Sequence, residues 1–455
     1  MNAAARPEPP TNALQRLLSR WVNVDPRETA TVVAAFLLFF FVLGSYFAVR
    51  PVRETIATTL GRERVADLWL YTALFSILIV PLYGWLVGHI RRSVLLPCIY
   101  GFVSIVLVLV GLSLRADPEN LGVGAFFYVL ISVLNLMLVS VFWSFLLEIF
   151  SSDQTKRLFG FIAAGGTAGA LIGPLSTRLV VDIVGNPGVL YMGAVGFIGA
   201  IFCQRILIRI WGRERSALAA VAAGESASDA ARPPGNPTRD RGLGGNPFAG
   251  LMIVLRSPYL LGIALFVTLL STVNTFLYFE QLRIVEETFT DRTRRTEVFA
   301  NIDILVQTLT ILSQVFLTGR IASKLGVRIL LTMVPIVMIG AFLLLSAFNT
   351  FAVIAVALVA RRWGEYAFIR PGREMLFSTL DTETKYKAKN FIDVPVYRAA
   401  DYVGAQAKTA IEIAGVSAAG AAIVGACFAA MWAGTGWLLG RRHDGEAARR
   451  EGAGP

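Results

Sequence analysis

The stretch R-R-W-G-E-Y-A-F-I-R-P-G-R-E-M-L-F (361–377) decides how the chain is read. An apolar run, F-A-V-I-A-V-A-L-V-A (351–360), leads straight into two arginines, a glutamate and then R-P-G-R-E. After a polar turn comes K-Y-K-A-K-N-F-I-D-V-P-V-Y-R-A-A-D (385–401), a second helix-like run that carries Asp393, Arg398 and Asp401. A charge at membrane depth costs roughly 2.5–3.5 kcal/mol on insertion scales, so such side chains face a cavity or one another. The stretch therefore reads as one wall of a path for an anionic solute, with the rest of the chain building the other wall.

The whole chain supports a membrane reading. Its 455 residues are 55% hydrophobic, and the mean hydropathy is +0.62, which excludes an ordinary soluble domain. The apolar runs are too long and too uniform for a membrane β-barrel, so the spans are expected to be helices that satisfy their own backbone. About twelve spans of roughly 20 residues, the length a bilayer core requires, fall near 29–49, 66–88, 94–114, 122–147, 158–184 and 188–208, then 257–279, 298–318, 327–347, 350–370, 389–414 and 416–439. The expected fold is an all-α polytopic membrane protein with two six-helix halves, 29–208 and 257–440. Between them, 209–256 is rich in Ala, Gly, Ser, Pro and Arg and reads as a flexible linker.

Charge sets the expected orientation. The net charge is +11, and basic residues gather in the N-terminal segment 1–28, the linker, alternate loops and the tail 441–455. By the positive-inside rule these segments are cytoplasmic, in what reads as a bacterial inner membrane. The loops after spans 1 and 7 are more basic than that rule favours, which asks for a local reason such as attraction of an anion. Cys98, Cys203 and Cys427 lie inside apolar runs and read as core residues. His89 and His443 form no ligand cluster, so no metal or other cofactor is expected. No G-x-x-x-x-G-K-[ST] loop is present, which argues against drive by ATP hydrolysis, and no enzymatic activity is expected.

The charged stretch has a twin. Span 1 ends in A-V-R-P-V-R-E-T (48–55) and span 10 in F-I-R-P-G-R-E-M (368–375), which share R-P-x-R-E. Pro51 and Pro371 each remove a backbone donor and are expected to kink or end their helices. Arginine presents a planar fork that grips phosphate or carboxylate, so Arg50, Arg53, Arg370 and Arg373 are the candidate anion-binding residues. The alternative is that they snorkel to headgroups and pair with Glu54 and Glu374. Glu54, Glu148, Glu280, Asp303, Glu374, Asp393 and Asp401 are the candidate gating or coupling acids. Asp393, Tyr397 and Asp401 share one helix face, and that face reads as a salt-bridge seam against span 10 or as a substrate contact. Gly165, Gly169 and Gly173 read as a small-residue packing stripe.

A family resemblance adds to this. The turn G-R-I-A-S-K-L-G-V-R (319–328) resembles one found in major facilitator transporters. R-P-V-R-E-T (50–55), F-W-S-F…D-Q-T-K-R-L-F-G (142–160) and R-P-G-R-E-M-L-F…D-T-E-T-K-Y-K-A-K-N-F-I-D (370–393) together resemble the nucleotide transporter (ATP/ADP translocase) family, in a divergent bacterial branch. That resemblance implies two parallel halves with a midplane site, and nucleotide recognition through basic residues that fall on Arg53 and Arg373. Family members tend to carry lysine there. They also carry an acid in helix 4, where this chain reads L-I-S-V-L-N-L-M (130–137). The expected partners are an anionic small solute and the bilayer, with no nucleic-acid polymer. Two rival readings stand beside nucleotide exchange: a proton-coupled facilitator of another organic anion, using Glu280 or Asp303, and a non-transporting scaffold or sensor.

Overall fold

A computed structural model describes residues 28–90, 92–150, 152–225, 249–377, 380, 384, 388–389 and 391–451. The described residues are almost entirely helical. The first half comprises α1 (Thr29–Leu60), α2 (Arg62–His89), α3 (Arg92–Ala116), α4 (Leu121–Ile149), α5 (152–184) and α6 (186–225). A short α7 (Ala249–Arg256) precedes the second half: α8 (Pro258–Thr288), α9 (Arg292–Ser313), α10 (Gly319–Ala347), α11 (Phe351–Gly364), α12 (Arg370–Leu376), α13 (Tyr397–Ile413) and α14 (Ala418–Glu451). Among the described residues, seven helical stretches are long and apolar enough to cross a membrane. The protein is an all-α polytopic membrane protein.

Helix ends follow local chemistry. Gly185 has φ 66 and Gly326 has φ 78, values that L side chains avoid, so each glycine breaks a helix into two rods. Asn120, Ser257 and Asp291 cap α4, α8 and α9 with side-chain oxygens that accept from the backbone N–H three residues on. Three π turns interrupt the second half, at Gln314–Thr318, Glu365–Ile369 and Ile392–Val396.

Two expectations change here. Span 1 does not end at 49, because α1 continues through Pro51 to Leu60. Proline removes only one donor, and in a bundle the neighbouring helices keep the rod intact. The first R-P-x-R-E therefore lies inside a helix rather than at its end. The segment 209–256 is helical at both edges, through Glu225 and from Ala249. Its remainder, with the segment 1–27, lies outside the described residues, as do the side chains of Arg91, Arg92, Lys156, Arg320, Lys324, Lys385 and Lys387.

Each half has its own apolar core. One cluster runs from Val32 to Leu207, and another from Val254 to Leu439. A third, smaller cluster joins the halves: Ala57, Leu60, Val65, Ala66 and Tyr128 meet Phe279, Leu282 and Ala405. Outward-facing side chains such as Leu78, Ile105, Leu179 and Phe202 are exposed, as a lipid-facing surface requires. The glycine stripe packs α5 on α1. A Cβ on Gly165, Gly169 or Gly173 would sit 2.4, 2.2 and 2.4 Å from the carbonyl oxygens of Phe36, Phe40 and Gly44, so only glycine permits this approach.

Candidate functional site

A cavity of about 490 Å³ lies between the halves, within the range of small-molecule sites. It is lined from α1, α2 and α4 on one side and from α8, α9, α11, α12 and α13 on the other. Both R-P-x-R-E copies contribute, so Arg50, Arg53, Arg370 and Arg373 all line one space.

At the deeper end, Arg50 lies 3.9 Å from Glu54 and 3.5 Å from Asp303 on α9. Asp303 also meets Arg362 of α11 at 2.5 Å. Arg53 pairs with its neighbour Glu54, donates to Ser132 at 3.2 Å and stacks over Tyr128. Tyr278 of α8 donates to Glu54 at 2.9 Å, its hydroxyl lies 3.0 Å from that of Tyr128, and Trp69 donates to Tyr128 at 2.8 Å. This chain starts in the first half, passes through Tyr278 of the second and returns to the Glu54 carboxylate of the first.

The other end is wetter. Glu365 accepts from Arg361 at 2.9 Å and lies 3.7 Å from Arg370, which stacks on Tyr366. Arg373 meets Asp393 at 3.3 Å, and Glu374 takes Lys389 at 2.5 Å. Arg398 and Ser271 both reach Asp401, at 3.4 and 2.5 Å. Of the seam between spans 10 and 11, Arg373–Asp393 is present, whereas Asp401 turns to Arg398 of its own helix and to Ser271 of α8. Side-chain exposure rises from 4% at Asp303 to 57% at Arg370 and 49% at Glu374, so the cavity opens past α12.

The opposite end is shut by contacts between the halves. Arg62 meets Glu412 at 3.0 Å, and Arg178 meets Glu297 at 2.8 Å. Arg292 donates to the Pro118 carbonyl at 2.6 Å, Arg295 donates to Thr58 at 2.9 Å, and the hydroxyls of Thr55 and Thr296 lie 2.7 Å apart. This supplies a local reason for the basic loops after spans 1 and 7. Arg62, Arg292 and Arg295 fasten one half to the other.

Two candidate acids lie elsewhere. Glu148 is exposed at the end of α4 and outside the cavity lining. Glu280 is buried away from the lining, paired with Arg283 and 3.6 Å from Lys408. Four charged lining residues were not assigned a binding or coupling role from sequence: Arg361, Arg362, Glu365 and Arg398. The i, i+4 spacing of Arg361 and Glu365 was the available signal. Nothing local marks Arg362 as the partner of Asp303.

The lining holds seven arginines against six carboxylates, so the cavity is almost charge-balanced before any solute enters. Its hydrogen bonding is less complete. Buried Nε atoms of Arg53, Arg361, Arg362 and Arg373, with Nη2 of Arg362, have no aligned acceptor among the described residues. A buried donor left without an acceptor costs about 1–3 kcal/mol, so these atoms favour an acceptor-rich guest.

Two helical halves around a central cavity, shut at one end and open at the other, have the form of a membrane carrier. The Major Facilitator Superfamily model matches residues 29–369, and the chain belongs to that superfamily. No curated protein sequence matches it. Among solved structures it is similar to a bacterial homologue of the human lysosomal transporter Spinster, inward-facing and unoccupied, with TM-score 0.57 and 13% identity over 92% of this chain and 98% of that one. A bacterial homologue of the iron transporter ferroportin, inward-facing, gives TM-score 0.57 and 13% identity over 89% and 98%. A POT family transporter in complex with 5-aminolevulinic acid gives TM-score 0.57 and 10% identity over 90% and 96%. At these identities the likeness concerns the fold. The protein is a secondary membrane transporter of the major facilitator type.

Proposed function

We propose that this transporter exchanges nucleotides or related phosphorylated solutes by rocking its halves about the central cavity. One observation carries the reading: a single cavity gathers guanidinium groups from both halves, several of them with unused donors, beside the rings of Tyr46, Trp69, Tyr128, Tyr366 and Tyr397. Forked donors suit phosphoryl oxygens, and aromatic faces suit a planar base. The resemblance of 50–55, 142–160 and 370–393 to nucleotide transporters points the same way. In this reading Arg53 and Arg373 hold anionic groups with help from Arg50 and Arg370, and the neighbouring acids release them as solute enters. With both termini cytoplasmic, the open end faces inward. The organic-anion reading keeps Asp303 as its proton carrier in the lining, whereas Glu280 sits outside it.

The test is thermal stabilisation of the purified protein by ATP, ADP, inorganic phosphate, sugar phosphates and dicarboxylates. A true ligand at about 100 times its Kd stabilises by about 2.7 kcal/mol. A shift with nucleotides that Arg373→Ala abolishes is the expected result. A shift only with dicarboxylates, and uptake that needs a pH gradient, would replace this reading with the proton-coupled one.

A further inference from the structure

We infer that the carboxylate of Asp303 occupies the seat of the substrate's phosphoryl group and is displaced from it on binding. The inference rests on the phosphorylated-solute reading and assigns one residue of that site a specific role. Asp303 sits between guanidiniums of opposite halves, and both reach the same oxygen: Arg50 Nη1 at 3.5 Å and Arg362 Nη2 at 2.5 Å from Oδ1. It stands where a solute bridging the halves would have to place its negative charge.

The fit of this internal anion is incomplete. Arg362 is buried, yet its Nε has no acceptor and its Nη2 no aligned one among the described residues. One carboxylate oxygen shared by two guanidiniums cannot serve all of their donors. A phosphoryl group brings three oxygens in a tetrahedral set and more negative charge, so it serves more of them at once. Another acid on α9 shows what a purely structural bridge looks like. Glu297 also joins the halves, through Arg178, while its other oxygen takes Arg294 of its own helix, and it lies outside the cavity lining. Asp303 differs in facing the solute space and in leaving donors of its partner Arg362 unanswered.

An internal competitor has a signature of sign. Neutralising a structural aspartate weakens binding or leaves it unchanged, whereas neutralising a competitor tightens it. Full-length protein in detergent is titrated with ADP and with inorganic pyrophosphate, wild type against Asp303→Asn and Arg362→Gln. The expected result is binding at least about tenfold tighter in Asp303→Asn and at least about tenfold weaker in Arg362→Gln, the range of a charge-assisted contact won or lost. If the asparagine variant does not fold, Asp303→Ser, which leaves room for a water between the guanidiniums, carries the same comparison. Wild-type binding that Arg373→Ala weakens but Asp303→Asn leaves unchanged or weakens would overturn the role given to Asp303 and leave the substrate reading standing. Silence of the wild type toward both probes would overturn both.

Discussion

The two copies of R-P-x-R-E share a pattern and differ in almost everything around it. The copy at 50–54 lies within an unbroken helix, its arginines are largely buried, and its glutamate is fixed by Arg53 and Tyr278. The copy at 370–374 follows a π turn, exposes Arg370 and Glu374, and finds its partners in that turn and in the segment ahead of α13. The first copy sits where the halves are fastened and the second where the cavity opens. A short motif fixes which groups are available, and burial then decides how firmly the protein itself engages them before a solute arrives.

That contrast can be broken deliberately. The largest effect is expected from Arg53→Ala, which leaves the buried Glu54 without its closest cation. Removing one partner of a buried ion pair costs about 3–5 kcal/mol, and the melting temperature in detergent should fall accordingly. Next comes Tyr278→Phe, which deletes the donor that reaches Glu54 from the other half. A lost hydrogen bond of about 0.5–1.5 kcal/mol should loosen the closed end by up to about tenfold in population. Disulfide formation between cysteines placed at Thr55 and Thr296 would report this as a lower yield. The smallest stability effect belongs to Arg370→Ala. An exposed pair contributes about 0–1 kcal/mol, so the melting temperature should barely move while uptake of the preferred solute falls. If Arg370→Ala destabilises as strongly as Arg53→Ala, the division between a tightly engaged copy and a loosely engaged one is wrong.

Much of the fold was legible because lipid imposes a simple rule on sequence: long apolar runs become rods. The rods coincide with the runs except where polar residues extend them, as in α1 beyond Pro51, where packing against α5 and α4 sustains a helix that hydropathy alone would stop. The pairs Arg398–Asp401, Lys408–Glu412 and Arg178–Asp182 were readable from helical spacing and are present. The contact of Arg50 and Arg362 through Asp303 was not readable, since three helices far apart in the chain meet there and no local period records it. The basic loops misled for a related reason. Their arginines are answered by Glu412, by the Pro118 carbonyl and by Thr58, all remote in sequence.

The π turn at Glu365–Ile369 has a consequence for azimuth. On an uninterrupted helix, with about 100° per residue, Arg361 and Arg370 would point about 180° apart, and Arg373 would lie about 120° from Arg361. A π turn spends one extra residue on its loop, which rewinds everything after it by about 100°. Arg370 then falls about 80° from Arg361 and Arg373 about 20°. Four arginines that would have been spread over half the circumference are gathered into little more than a quarter of it, and the helix presents a single cationic edge to the cavity.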